Sequence, residues 1–504
     1  GGGAQDGVLL KLNSTLSTVL FTSYLGGSGN DAAYVLSIGP GGNIYVAGGT
    51  ESTNLPGPQT GTIGTANHGN IDGFITVVNS SGTSRIRSTY IGTSGIDQVF
   101  GIQFDANGFP YVMGQTTGAW SVVNNLPGSP AMFSNAGGKQ FIAKLQPDLS
   151  AYVYSTMFGT GSSIPNISPV AFLVDKCENV YISGWGGPGF GTGFTSAGTT
   201  GLPTTPDAFK STTDGKDFYF FVLKKDAASQ LYGSFFGENN ALNGGNDHVD
   251  GGTSRFDREG TIYQAVCANC FINNPHPAFP VTPGAAYTVN NAYATNNRAG
   301  CNLAMIKIAM NLAGVNAGVQ SAIDGQVRDT VGCVPQTVVF SDTIGRAQSY
   351  EWYIDYVPGN PPTQITTTPN FVWTFNTVGI HQVMLVAVDL TTCNQRDSSF
   401  MNIKIGTTRA LPVFTYARQA PCEEFRYSFT NTTLQPPTHP FKDTSFVWDF
   451  GDGSPLIKTG YNNPLITHQF AGPGTYNVKL LLNDTTYCNS PDDTTLQIEV
   501  ALNV

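Results

Sequence analysis

From Gly1 to Gly318 apolar runs and polar turns recur in one fixed order. The clearest copy is Thr22–Thr50, TSYLGGSGNDAAYVLSIGPGGNIYVAGGT. One apolar run closes on Leu25-Gly26-Gly27, and an acidic turn follows at Asn30-Asp31. A second apolar run then leads to a Gly-Gly-Asn turn and the alternating strand Ile44-Tyr45-Val46-Ala47. Period-two alternation marks strands, and nothing in the repeat keeps the 3.6-residue period of an amphipathic helix. Three weaker copies put the tyrosine of the last strand at Tyr111, Tyr181 and Tyr263, spaced by 66, 70 and 82 residues. Each copy follows another strand: Asp6–Leu12, Asp72–Ile75, Gln140–Leu145 or Asp217–Phe220. A repeat thus reads as that strand, the run ending at Gly26, Gly92, Gly159 or Gly237, and the two strands flanking the later turn. Four antiparallel strands at such a period predict the blades of a β-propeller.

The later turn carries Asp105, Asp175 and Asp257, with Gly39 in the first copy. An aspartate that opens a tight turn bonds backbone N–H groups just ahead of it, so these read as Asx turns rather than metal ligands. A fifth unit starts at Cys301–Ala309 and stops. Both ends of the array therefore offer the same strand of the repeat and cannot complete one another. The propeller is expected to be incomplete, its missing blades supplied by upstream sequence or a partner chain.

After Gly318 the pattern changes to two shorter modules with alternating strands and a core tryptophan each, which predict β-sandwiches. The second holds Phe446-Val-Trp448-Asp449-Phe450-Gly451-Asp452-Gly453, answered by the strand Gly474–Leu480; the first repeats this more weakly around Trp352 and Val383. The expected fold is all-β, with a propeller region at 1–318 and sandwiches at 319–406 and 407–504.

Composition adds the compartment. At 504 residues the chain is too long for one core, and 60 glycines, 30 prolines and 12% charged residues suit turn-rich β structure. A net charge of −10 without a basic cluster argues against nucleic acid and anionic membranes. No run of apolar residues is long enough to span a bilayer as a helix. The start at Gly-Gly-Gly, without methionine or signal peptide, suggests a processed piece of a longer precursor.

Eight cysteines suit an exported chain with disulfides. Cys333 and Cys393 hold places in the first sandwich that match Cys422 and Cys488 in the second, which predicts one disulfide within each module. Cys177, Cys267, Cys270 and Cys301 remain, with no pairing deducible; Cys267-Ala-Asn-Cys270 with two distant partners would also suit zinc. The oxygen-rich loop around Asp247 and Asp250, and the turn of Asp449 and Asp452, are candidates for calcium, against the plainer reading as hydrogen-bonded turns. Catalysis has little to stand on. The six histidines form no HExxH pair, and there is no GxSxG elbow. Acidic residues that meet in space as a glycosidase pair would leave no mark in the spacing.

The string YLGGSGNDAAYVLSIGPGGNIYVAGGT resembles the SBBP (β-propeller) repeat of bacterial surface proteins, and HVDGGTSRFDREGTIYQAVCANC looks like its last full copy. WDFGDG and PGTYNVKL resemble PKD domains, and the first sandwich is a degenerate version without the FGDG turn. The combination is similar to exported Bacteroidota proteins of the gliding-motility and type 9 secretion kind, which end in a C-terminal sorting domain; none follows Val504, which suggests removal after export or a sequence that stops short of it. The resemblance implies a non-enzymatic protein of the outer-membrane surface acting in adhesion, motility or assembly, with no obligatory cofactor. Its partners would be other surface proteins or surface glycans. A carbohydrate-binding or carbohydrate-degrading propeller, and a subunit of a secretion or filament complex, are the alternatives. It also implies O-glycosylation at Thr330, Thr343 and Thr485, each after an aspartate.

Overall fold

The computed structural model describes residues 2–187, 196–238, 246–249, 254–270, 279–288, 302–310, 312, 314–420, 425–460 and 464–501. Strands dominate, with single 3-10 turns at Pro40–Gly42 and Lys225–Ala227. Among the described residues no helix is long and apolar enough to cross a membrane. Contacts divide the chain into Gly1–Gly314 and Val315–Val504.

In the first unit, β1 (Gly7–Leu12) and β2 (Val19–Leu25) form a hairpin. A four-stranded sheet follows, β3 (Asp31–Ile38), β4 (Ile44–Thr50), β5 (Asp72–Val78) and β6 (Arg85–Ile91), in chain order. The third sheet holds β7 (Asp97–Phe104), β8 (Pro110–Thr116), β9 (Val123–Asn124), β10 (Gln140–Leu145) and β11 (Tyr152–Phe158), ordered β7-β8-β10-β11-β9. The fourth is β12 (Ser168–Val174), β13 (Val180–Trp185), β14 (Phe218–Leu223) and β15 (Gln230–Phe236). In the last, β16 (Asn246–His248), β17 (Ser254–Phe256) and β19 (Asn302–Ala309) all pair with β18 (Thr261–Cys270).

This grouping corrects the phase expected from the repeat. A sheet takes the last two strands of one repeat and the first two of the next. The β4–β5 ladder runs unbroken from Ile44↔Val78 to Thr50↔Asp72, although a long connector separates the strands. The short glycine loop Gly26–Asn30 is instead where the chain steps from one sheet to the next. A cyclic shift leaves the period unchanged, so spacing alone could not reveal it.

The sheets pack face on back, in sequence order. Ile75 and Val77 of β5 share a core with Phe141 and Ala143 of β10. Ile142, on the opposite face of β10, meets Tyr219 and Phe221 of β14. Phe218 and Phe220 in turn pack with Ile306 of β19. Central strands such as β5, β10 and β14 are consequently buried along their whole length. They read as near-continuous apolar runs because both faces are covered.

The second unit is a pair of sandwiches. Trp352 lies in the core of the first with Phe340, Phe371 and Val383, and its Nε1 donates to Thr366 Oγ1 at 3.0 Å. Trp448 repeats this with Phe414, Phe429 and Val478, donating to Thr459 Oγ1 at 3.2 Å. Each module clasps its entry segment with an asparagine. Asn394 bonds both backbone groups of Val315 (2.8 and 2.9 Å), and Asn489 those of Ala410 (2.6 and 3.1 Å). The boundary therefore falls before Val315 rather than at the expected Gly318.

Phe141 is fully buried between two sheets and stacks on Trp120 with centroids 3.8 Å apart. Phe141→Ala should cost about 3–5 kcal/mol. Calorimetry should show the first unit's transition fall while that of the second stays in place.

Candidate functional site

The first three crossovers between sheets carry the same polar arrangement. The residue at or just before the start of the first strand of a sheet, Asp31, Asp97 or Asn166, turns its side chain back onto the loop before it. Asp31 Oδ2 accepts from Gly27 N at 2.8 Å, Asp97 Oδ2 from Thr93 N at 2.7 Å, and Asn166 Oδ1 from Thr160 N at 2.9 Å. Facing each is the residue at or just before the start of the third strand of the preceding sheet: Asp6, Asp72 or Gln140. Glycine sits between them because a Cβ has no room. At Gly26 it would collide with Asp6 Oδ1 and Asp31 Oδ2, and at Gly237 with Asp217 and Asp247.

Paired carboxylates thus lie in the interior of the stack. Asp72 and Asp97 are both fully buried, and one oxygen of each, Oδ1, has no hydrogen-bond partner among the described residues. Burial raises the Asp72 carboxyl above its ordinary value and nearby Asp97 adds to this, against hydrogen bonds from His68. The Asp217 carboxyl is raised by burial too, although Lys210 Nζ bonds it at 2.8 Å. Gln140 and Asn166 fill the same two places without charge. Sequence reading placed these aspartates at strand ends and missed their pairing, whose signal is an acidic residue at both ends of a strand–turn–strand unit. Sealed from solvent, the pair closes a loop and offers no route to a glycosidic oxygen.

Asp105, Asp175 and Asp257 form Asx turns, as in Asp175 Oδ1 accepting from Cys177 N at 2.7 Å and Asn179 N at 2.8 Å. The following left-handed position holds Gly108 and Gly260 in two copies, but Glu178 (φ 61°) in the third. A non-glycine residue there costs about 1–2 kcal/mol. Glu178 uses the position to reach Lys144 Nζ (2.8 Å) and the Tyr111 hydroxyl (3.0 Å) on neighbouring strands and Lys225 Nζ (2.7 Å) in a 3-10 turn. Burial alone would raise the Glu178 carboxyl, but the two ammonium groups outweigh it and hold it low.

The calcium candidates are largely committed elsewhere. Asp247 is buried against Gly237, and Asp250 lies outside the described residues. Asp449 Oδ1 accepts from Gly451 N at 2.9 Å. Asp452 accepts from Ser454 N at 3.0 Å and meets His468 Nε2 at 2.7 Å, in a shallow depression also lined by Phe425 and Phe470. Burial would raise Asp452, but bonds from Ser454 and His468 prevail and lower it. Among the described residues no three His, Cys, Asp or Glu side chains are grouped to hold a metal. Thr343 and Thr485 are exposed and Thr330 is half-buried.

The cysteines depart from expectation. Cys333 is bonded to Cys488, with Cα atoms 4.9 Å apart and a sequence separation of 155. Cys333–Cys393 and Cys422–Cys488 are therefore both ruled out, and the bridge joins the modules instead of lying within either. The reason is local. Cys333 pairs in register with Gly406 at the end of the first module, and Cys488 N donates to Thr408 O at 2.9 Å just beyond it. Lys404 Nζ reaches Thr485 O at 3.2 Å across the same junction. Cys177 takes part in a disulfide, and so does Cys393. Cys267 is half-buried on β18; the side chain of Cys270, and Cys301 and Cys422 altogether, lie outside the described residues.

Residues 410–500 match the PKD domain family. No curated protein matches the sequence. Among solved structures, the chain is similar to fibronectin(III)-like modules of Clostridium thermocellum CbhA, at 18% identity and TM-score 0.23 over 36% of this chain and 93% of that one. The extracellular domain of a one-component system from B. thetaiotaomicron is similar at 9% identity and TM-score 0.22, over 81% of this chain and 55% of that one. A Ca2+-stabilized adhesin that helps an Antarctic bacterium reach out and bind ice matches at 9% identity and TM-score 0.16, over 93% and 97%.

Peptide mapping without reduction should recover a Cys333–Cys488 cross-link. Asp72 is expected to bind its proton more tightly folded than unfolded, so stability falls as pH rises from about 4 through its raised value. Asp72→Asn should therefore stabilise the first unit by about 1 kcal/mol at pH 7 and give no gain at pH 3, read from denaturation midpoints.

Proposed function

We propose that this chain is a non-enzymatic, secreted cell-surface protein acting in adhesion, motility or extracellular assembly. The observation that carries the reading is the covalent bridge between a PKD module and the sandwich before it. Such a bridge persists in oxidising surroundings and makes a stiff spacer of two modules. The stacked sheets would then be blades of an SBBP-type β-propeller serving as the interaction platform, on an exported Bacteroidota protein of the type 9 secretion kind. Surface proteins or glycans are the partners this reading expects, with Thr330, Thr343 and Thr485 as glycosylation sites and no cofactor required beyond calcium at most. The open apolar end faces of the sheet stack favour the second reading, a subunit of a larger assembly.

In the cells that make it, an impermeant amine reagent should label the intact chain from outside. Alkylation without reduction should leave Cys333 and Cys488 unmodified. A chain shielded from the reagent, or reduced thiols at both positions, would sink the proposal. Incubation with a glycan panel should release no reducing sugar.

A further inference from the structure

The two ends of the sheet stack are the two halves of the contact that recurs inside it. The third strand of each sheet presents one face forward and one backward, fixed by register. Gly7, Gly73, Gln140 and Phe218 all pair with the residue before the crossover glycine, so Leu9, Ile75, Ile142 and Phe220 are equivalent forward positions. Tyr263 pairs with Lys307 as Tyr111 does with Lys144, which makes Met305 the forward residue of β19. By the same register Val8 and Leu10 of β1 are backward positions, equivalent to Phe141 and Ala143. Forward side chains meet backward ones at every internal contact between third strands, Ile75 on Phe141 and Phe220 on Ile306 among them.

At the ends these positions are uncovered. Leu303 and Met305 are 72% and 87% exposed on the forward face of the last sheet, and Val8 and Tyr24 are 57% and 69% exposed on the backward face of the first. Lys307 supplies the charge on the forward patch, its Nζ 5.3 Å from the Tyr263 ring, while Val8, Leu10, Thr22 and Tyr24 carry none. Contiguous apolar patches on a chain with 12% charged residues mark interaction surfaces. We propose that the forward face of β18–β19 docks on the backward face of β1–β2 in a second copy of this chain, head to tail. Leu303 and Met305 then meet Val8 and Leu10 as Ile75 meets Phe141. Lys307 stays at the rim, beyond the two strands of the β1–β2 hairpin. The contact is heterologous, so copies add in one direction until a ring closes or a filament grows.

The proposal rests on the assembly reading, and the two fail separately: surface labelling tests the compartment, sedimentation tests the contact. Sedimentation velocity of the full chain from about 1 to 100 µM should show concentration-dependent association. Met305→Asp and Val8→Asp should each weaken it by more than ~10-fold. An equimolar mixture of the two variants should give dimers and nothing larger, since one intact forward face meets one intact backward face. A monomeric parent chain, variants that associate like the parent, or a mixture that does not pair would overturn the proposal. As a second measurement independent of folding losses, a benzoylphenylalanine in place of Met305 should cross-link to the β1–β2 peptide at the mass of two chains. A cross-link at the mass of one chain would mean closure of the stack on itself and overturn it equally.

Discussion

A β-sheet with apolar residues on both faces cannot stand alone in water, and most of the first unit follows from that. β5, β10 and β14 are buried along their length, so each sheet needs a neighbour in front and behind. Fully burying a side chain such as Phe141 or Phe220 is worth about 1.5–3 kcal/mol, and these gains are available only to sheets already in contact. Stacking is thus cooperative between neighbours, as in other repeat architectures. The end faces are where that demand is left unmet.

Polar groups caught between the sheets are allotted to holding the chain's path. The crossover loop is short and glycine-rich, which lets two carboxylates crowd around it, and in the first two copies one of them bonds the loop backbone. The cost is visible at Asp72 and Asp97, each with an oxygen left without a partner. The third junction avoids that cost with Gln140 and Asn166, whose amides donate to Ile167 O at 3.2 Å and Gly198 O at 2.9 Å. In the same pair of sheets Lys144, Glu178 and Lys225 form an ion-pair chain. Copies of one repeat therefore solve the same packing problem with different charge.

Much of this was legible in the chain. Tyr45, Tyr111 and Tyr181 recur because each reaches the next sheet: Tyr45 lies against Phe104 at 4.7 Å, Tyr111 bonds Glu178, and Tyr181 lies against Phe256 at 5.7 Å. The Asx turns followed from the local chemistry of Asp105, Asp175 and Asp257, which needs only a few consecutive residues. Features that depend on distant segments were not legible. The period is blind to which strands share a sheet. Asp72 and Asp97 become a pair only when the β5–β6 hairpin and the next crossover fold together. Cys393 and Cys488 do hold matching places, each beside the asparagine that clasps a module's entry segment. Their partners could not be matched, because the bridge from Cys488 depends on how one module ends and the next begins.

That bridge sets the path of mechanical tension. A pull on the two ends of the second unit would pass from Val315 to Cys333, cross the sulfur bond to Cys488, and leave along the strand Asp492–Val500. Nearly all of both sandwiches, Trp352 and Trp448 included, lies inside the bypassed loop. Its 155 residues would otherwise extend by roughly 500 Å at the ~3.4 Å that each residue spans when stretched. With the bridge intact that length stays locked, and only the short outer segments can yield to force. A tether built this way stays short under load until it meets a reductant, so its reach is governed by redox chemistry instead of by the strength of its folds.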